Sequence, residues 1–124
     1  MSHNTLASEV LDYVRHMLQP IPMIDAISNI TDNDAEVAFS LVNTGYYYLA
    51  NVNIIVEYRL ADEELWRIAY MVRFNNHTTS YGCVVGELEP GKAYKLRLRL
   101  SDKLNPNMHV ISEIKDFTTQ AKVT

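Results

Sequence analysis

From Pro22 onward the apolar residues of this chain recur at every second position, and that period constrains the fold more than any other feature. The tract "YKLRLRL" is the clearest case: Tyr94, Leu96, Leu98 and Leu100 fall on one side of an extended strand, and Lys95, Arg97 and Arg99 on the other. A helix would scramble these two sets, whereas a half-buried antiparallel strand sends one to the core and the other to water. "NVNIIVEYRL" repeats the pattern, with Ile54, Val56 and Tyr58 assigned inside and Asn53, Ile55, Glu57 and Arg59 outside.

Seven strands are predicted on this basis, near 23–30, 34–42, 51–60, 65–73, 79–86, 92–101 and 109–119. The breaks between them carry turn chemistry, such as "TDND" at 31–34, "EPG" at 89–91 and "DKLNPN" at 102–107. The expected architecture is an all-β, seven-stranded antiparallel sandwich over residues 20–120, followed by a short tail at 121–124. A chain of 124 residues suits one such domain with an appendage.

The appendage precedes it. Leu6, Val10, Tyr13, Val14 and Met17 recur at spacings of three and four, which predicts one amphipathic helix over residues 1–19. Thr5 or Asn4 suits its cap, Arg15 and His16 its negative end, and Pro20 and Pro22 its stop. Burying five such side chains contributes several kcal/mol at ~25 cal/mol per Å². The stripe is therefore expected to pack on its own domain, to self-associate or to enter a partner's groove. A membrane-surface role is less suited, because the polar face carries Glu9 and Asp12 beside Arg15.

The order Leu88, Pro90, Gly91, Tyr94, Leu96, Leu98 resembles fibronectin type III domains. The resemblance implies a β-sandwich in which Tyr94 forms a "tyrosine corner", its ring inside and its hydroxyl bonded to nearby backbone. "DAEVAF", "VEYR", "LW" with Trp66, and "SEIKDFTT" follow in the family's order. Where the family usually has a tryptophan on its second strand, this chain has Phe39, so the core there is expected to be rebuilt around a smaller ring with help from Tyr46, Tyr47 or Tyr48. No Arg-Gly-Asp tripeptide and no paired cysteines support the adhesive or cytokine-receptor uses of the family.

Chemistry-bearing constellations are sparse. His3, His16, His77 and His109 are scattered, none at metal-ligand spacing with Cys83, and no zinc-protease, nucleophile-elbow or phosphate-loop motif occurs. The chain is expected to be no enzyme and to need no cofactor. Cys83 shares parity with Val85 and is expected to be a small core residue. Asp32, Asp34 and Glu36 alternate like calcium ligands, but Val37 and Asn43 stand where an EF-hand needs glycine and glutamate, so a hairpin turn is the better account. Arg59, Arg67, Arg73, Lys95, Arg97 and Arg99 are expected to form a basic face if the third, fourth and sixth strands share a sheet. That face is either simply solvated or recognises an acidic partner, with Glu57 and Glu113 available as cross-strand pair members.

A net charge of −4 argues against a dedicated nucleic-acid binder, and no apolar run is long enough for a transmembrane helix. A single cysteine tilts the compartment toward cytoplasm or nucleus, while Asn29-Ile30-Thr31 and Asn76-His77-Thr78 are sequons that serve an extracellular chain. The expected function is a non-catalytic protein–protein interaction module, with the helix and the basic strand face as contact surfaces. The alternatives are a secreted or cell-surface adhesion or receptor-type module and an accessory domain of a polysaccharide-acting enzyme.

Overall fold

The computed structural model describes Val10 and residues 20–42, 51–75 and 77–122. The predicted helix therefore lies outside the described residues except at Val10, which has a helical backbone and is 55% exposed. Leu6, Tyr13, Val14 and Met17 fall outside them, and every secondary-structure element among the described residues is a strand.

Eight strands follow in order: β1 (Ile21–Ser28), β2 (Ala35–Val42), β3 (Val52–Leu60), β4 (Arg67–Arg73), β5 (Ser80–Val85), β6 (Ala93–Asp102), β7 (Val110–Ile111) and β8 (Lys115–Thr118). They build two antiparallel layers, one ordered β1-β2-β5 and the other β4-β3-β6-β7, with β8 also pairing with β6. Between the layers lies a core of Val37, Phe39, Leu41, Ile54, Val56, Val85 and the inward side of β6, all buried. Phe39 stacks on Tyr81 at 5.5 Å and meets Tyr70 edge-on at 6.5 Å. These two rings pack around the smaller aromatic; the expected help from Tyr46, Tyr47 or Tyr48 lies outside the described residues.

The predicted seventh strand is two. β7 pairs with β6 in the register Leu100↔Val110, and β8 in the register Leu96↔Lys115, a slip of one residue. Ser112 bridges the slip: its amide donates to the Leu98 carbonyl at 2.9 Å, and its hydroxyl oxygen accepts the Leu98 N–H at 2.8 Å. Unbroken alternation would send Val110 and Phe117 to opposite faces, and the extra residue brings both inward. Similar one-residue irregularities interrupt β1 at Asp25 and β4 at Ala69. The fourth strand also starts at Arg67 rather than 65, because residues 61–66 turn before it.

The corner between β5 and β6 is held from inside by two hydroxyls. Tyr94, buried and stacked on Phe117 at 5.5 Å, accepts the Glu89 N–H at 2.8 Å through its phenol oxygen. Thr119, also buried, accepts the Lys92 N–H at 2.9 Å and donates to the Glu89 carbonyl at 2.6 Å. Gly91 sits between them at φ +65, a left-handed conformation that a side chain would strain. Leu88 is buried below the turn and Pro90 exposed above it.

Cys83 is partly buried against the core on the inward side of β5, and burial pushes its thiol up from 9.0 to about 11. A thiol whose folded pKa exceeds its unfolded one favours folding below pH 9.0, and this contribution is lost as pH rises through about 11. At pH 8 the folded chain is therefore expected to react with iodoacetamide about a hundredfold more slowly than the urea-unfolded chain, followed by mass spectrometry. Tyr94→Phe strands the Glu89 amide and is expected to cost about 1–2 kcal/mol, seen as a lower urea midpoint with an unchanged m-value.

Candidate functional site

Strands β3, β4 and β6 do share a sheet, and its outward face gathers five of the chain's eleven lysine and arginine side chains. Register decides which ones. Residues directly opposite in a ladder point the same way, so Arg59, Arg97 and Arg99 stand outside with Lys95, and Arg73 joins them opposite Asn53. Arg67 does not. The irregularity at Ala69 sets it opposite the inward Tyr58, where it lines a small polar hollow with Tyr94, Glu63, Glu87 and Glu89. Plain alternation groups Arg67 with Arg73; the extra residue between them puts the two on opposite sides.

The face is organised rather than merely solvated. Glu57, expected outside as a surface residue, is only 5% exposed. Its Oε1 accepts Nε–H bonds from both Arg97 and Arg99 at 3.1 Å, and its Oε2 accepts from the Arg99 Nη2 at 3.3 Å. Ile55, next on the same side, is buried as well. Trp66 is held outside the sandwich, not within its core, with the Arg97 guanidinium 4.1 Å and the Arg59 guanidinium 5.0 Å from its ring centroid. Arg59 also donates to the carbonyls of Leu60, Ala61 and Glu63, which ties the turn before β4 to the sheet.

At the margins Lys95 meets Asp116 at 3.0 Å, and Arg73 donates to the Asn51 Oδ1 at 3.1 Å. Glu113 pairs with Lys115 at 3.4 Å instead of crossing to the basic row. Large apolar side chains stand open around this framework: Ile68 and Met71 on β4 and Ile111 on β7, each about half exposed or more. The result is a flat surface of arginines and one indole, edged with isoleucine and methionine. Arginine and tryptophan are the residues most enriched among binding hot spots.

A second concavity, about 390 Å³, opens between the edges of β1 and β7 and is lined by Ile21, Pro22, Met23, Ile24 and Ile111 with the polar Ser112, Glu113 and Lys115. Among the described residues, no group of three or more histidine, cysteine, aspartate or glutamate side chains is placed to hold a metal ion. Asp34 instead accepts the Thr31 hydroxyl at 2.6 Å, within the hairpin turn. Sequence reasoning reached the cations of this face by alternation. It also named Glu57 as a cross-strand pair member, which it is with Arg97, but missed its burial and the place of Trp66, because a lone glutamate in a strand and a tryptophan beside a turn carry no sign of which neighbours will cover them.

Glu57→Gln leaves two guanidiniums without their shared carboxylate and is expected to destabilise the fold by about 1–3 kcal/mol, less than a fully buried pair because both arginines remain partly wet. Thermal unfolding followed by circular dichroism measures it, and a red shift of Trp66 emission is expected to accompany it.

No protein-family model matches the chain, and no curated protein matches it in sequence. Solved structures do match in shape. The sensor domain of the anti-sigma factor RsgI4 of Pseudobacteroides cellulosolvens is 18% identical, with a TM-score of 0.67 over 83% of this chain and 96% of that one. The fibronectin type III domain of human fibronectin type III domain containing protein 3 is 16% identical, with a TM-score of 0.60 over 82% and 86%. The fourth fibronectin type III domain within a human protein is 18% identical, with a TM-score of 0.59 over 86% and 83%. At these identities the likeness is one of fold, and the chain has a fibronectin type III-like β-sandwich.

Proposed function

We propose that this chain is a non-catalytic protein-interaction module, acting in the cytoplasm or nucleus, whose outer five-stranded face recognises an acidic and partly apolar protein surface. The observation that carries this reading is the Glu57-centred framework that fixes Arg97, Arg99 and Trp66 on one flat face, with Ile68, Met71 and Ile111 open around it. Fixed guanidiniums lose little side-chain entropy when they meet carboxylates, and they offer planar, directional donors. The likeness to a sensor domain supports treating the sandwich as a recognition unit that works within a larger signalling chain. The N-terminal stripe of Leu6, Val10, Tyr13, Val14 and Met17 supplies a second contact, to a partner or to another copy.

A second reading, a secreted or cell-surface module, is favoured by one observation: the sequon residue Asn29 is exposed in a turn at φ +46. Expression in a eukaryotic secretory host tests it, since a glycan at Asn29 adds mass that treatment with an N-glycosidase removes.

The main reading is tested by comparing proteins captured from host extract by the natural chain and by a Met71→Glu, Ile111→Glu variant of unchanged melting temperature. Partners are expected to be lost with the variant and to weaken steeply with salt. Capture that is indifferent to both would refute the reading. For the N-terminal contact, mass in solution is compared between the whole chain and a form starting at Pro20. A dimer that becomes a stable monomer on truncation is the expected result, and a monomer in both removes self-association.

A further inference from the structure

The outward side of the larger sheet resolves into cross-strand rows. Ile68, Glu57 and Arg97 form one, and Met71, Ile55, Arg99 and Ile111 the next. The arginines of the two rows both turn Nε toward one oxygen of Glu57, so their guanidiniums converge from adjacent positions. Sharing leaves much unused. Each guanidinium has five N–H donors, of which Arg97 commits one to Glu57 and Arg99 two, and neither makes another hydrogen bond among the described residues. Their side chains are 20% and 35% exposed, so the pair is open to solvent.

Charge is left over as well. Arg59 donates to the carbonyls of Leu60, Ala61 and Glu63, so Arg59, Arg97 and Arg99 together have the single carboxylate of Glu57. The other ion pairs of the neighbourhood cancel within themselves: Lys95 with Asp116, Lys115 with Glu113, and Arg67 with Glu63. Asp62 and Glu64, in the turn before β4, form no ion pair with any of the three arginines among the described residues. Two guanidinium charges are thus uncompensated beside Trp66, which lies 4.1 Å from Arg97 and 5.0 Å from Arg59.

We infer that Arg97 and Arg99 form a binding site for a phosphoryl group, carried on a phosphorylated side chain of the partner protein. This site rests on the outer-face reading and names the chemistry that face selects. The donors left on the two arginines outnumber the roughly four lone-pair positions of a further carboxylate, whereas a phosphate monoester brings three terminal oxygens and about two negative charges. Glu57 is itself buried, so a ligand arriving from solvent meets the guanidiniums and not the carboxylate that fixes them. Guanidiniums already held in place lose little freedom on binding and offer paired, directional N–H groups to phosphate oxygens. Ile111, directly opposite Arg99, and Met71 in the same row give apolar contacts to residues flanking the phosphorylated one.

The test uses the capped peptide Gly-Ile-phosphoserine-Ile-Gly, its glutamate and unmodified serine versions, and inorganic phosphate, each titrated into the full chain. Binding is read from Trp66 emission and from the NMR signals of the arginine Nε–H groups. The phosphopeptide is expected to shift the Arg97 and Arg99 signals and to bind about tenfold more tightly than the glutamate peptide or inorganic phosphate, with the serine peptide weaker still. Arg99→Gln is expected to remove that preference, and Lys95→Gln to preserve it. Should Arg99→Gln lower the melting temperature, Arg99→Lys takes its place; it keeps the charge, lacks the fork, and is expected to lose the same preference. Equal binding of the phosphorylated and glutamate peptides overturns the inference, and so does an equal loss with Lys95→Gln. Arg97 and Arg99 signals unmoved at millimolar phosphopeptide have the same effect, and inorganic phosphate binding as tightly as the peptide rules out a side chain as the source. Partner capture that survives phosphatase treatment of the extract, yet is lost with Met71→Glu, Ile111→Glu, overturns phosphoryl selection while leaving the outer-face reading intact. Phosphopeptide binding at Arg97 and Arg99 together with capture that ignores that variant would sink the reading and leave this site standing.

Discussion

Strand β6 has partners along both edges, β3 on one side and β7 with β8 on the other, so the side-chain alternation of one strand commits both faces of the larger sheet. Its inward set of Tyr94, Leu96, Leu98 and Leu100 is buried throughout and supplies the spine of the core. Its outward set supplies the cations that organise the exterior. A one-residue slip here would exchange the two sets and place arginines between the layers, at a cost the domain's marginal stability could not absorb. The corner hydroxyls of Tyr94 and Thr119 matter for the same reason: they fix where β6 begins, and therefore which of its residues point in.

The exterior of the sheet follows a logic usually met inside proteins. One carboxylate, Glu57, serves two guanidiniums, and one indole lies against two guanidinium planes. Lysine could not replace these arginines, because a point charge neither stacks on a ring nor offers the Nε–H that both use toward Glu57. Ile55 is buried beneath this layer, so the face has a thin core of its own.

Much of this was legible in the sequence. Strict alternation located seven of the extended tracts, and the Leu88–Leu98 pattern located the tyrosine corner. What escaped was phase. A one-residue irregularity changes no residue type and leaves no mark in tracts this short, yet at Ala69 it moved Arg67 off the basic face and at Ser112 it divided the last strand. Burial on the outer side escaped for another reason. Glu57 is hidden by side chains forty and more positions away in the chain, and local pattern holds no information about such distant cover. Tyr81 reaches Phe39 as its partner in the β2–β5 ladder, and Tyr70 reaches it across the core from the facing sheet, a contact that local pattern does not record.

The break at Ser112 also divides the C-terminal run mechanically. β8 is zipped to β6 by its own short ladder, and the Ser112 bonds to Leu98 form a separate fastening just before it. Tension arriving from the C-terminal side would first meet the Thr119 and Gln120 bonds to the β5–β6 corner and to Thr31, then the β8 ladder with Phe117 in the core, and only then that clasp, with Val110 seated behind it. Load on that end of the sheet would thus pass through three fastenings arranged in series.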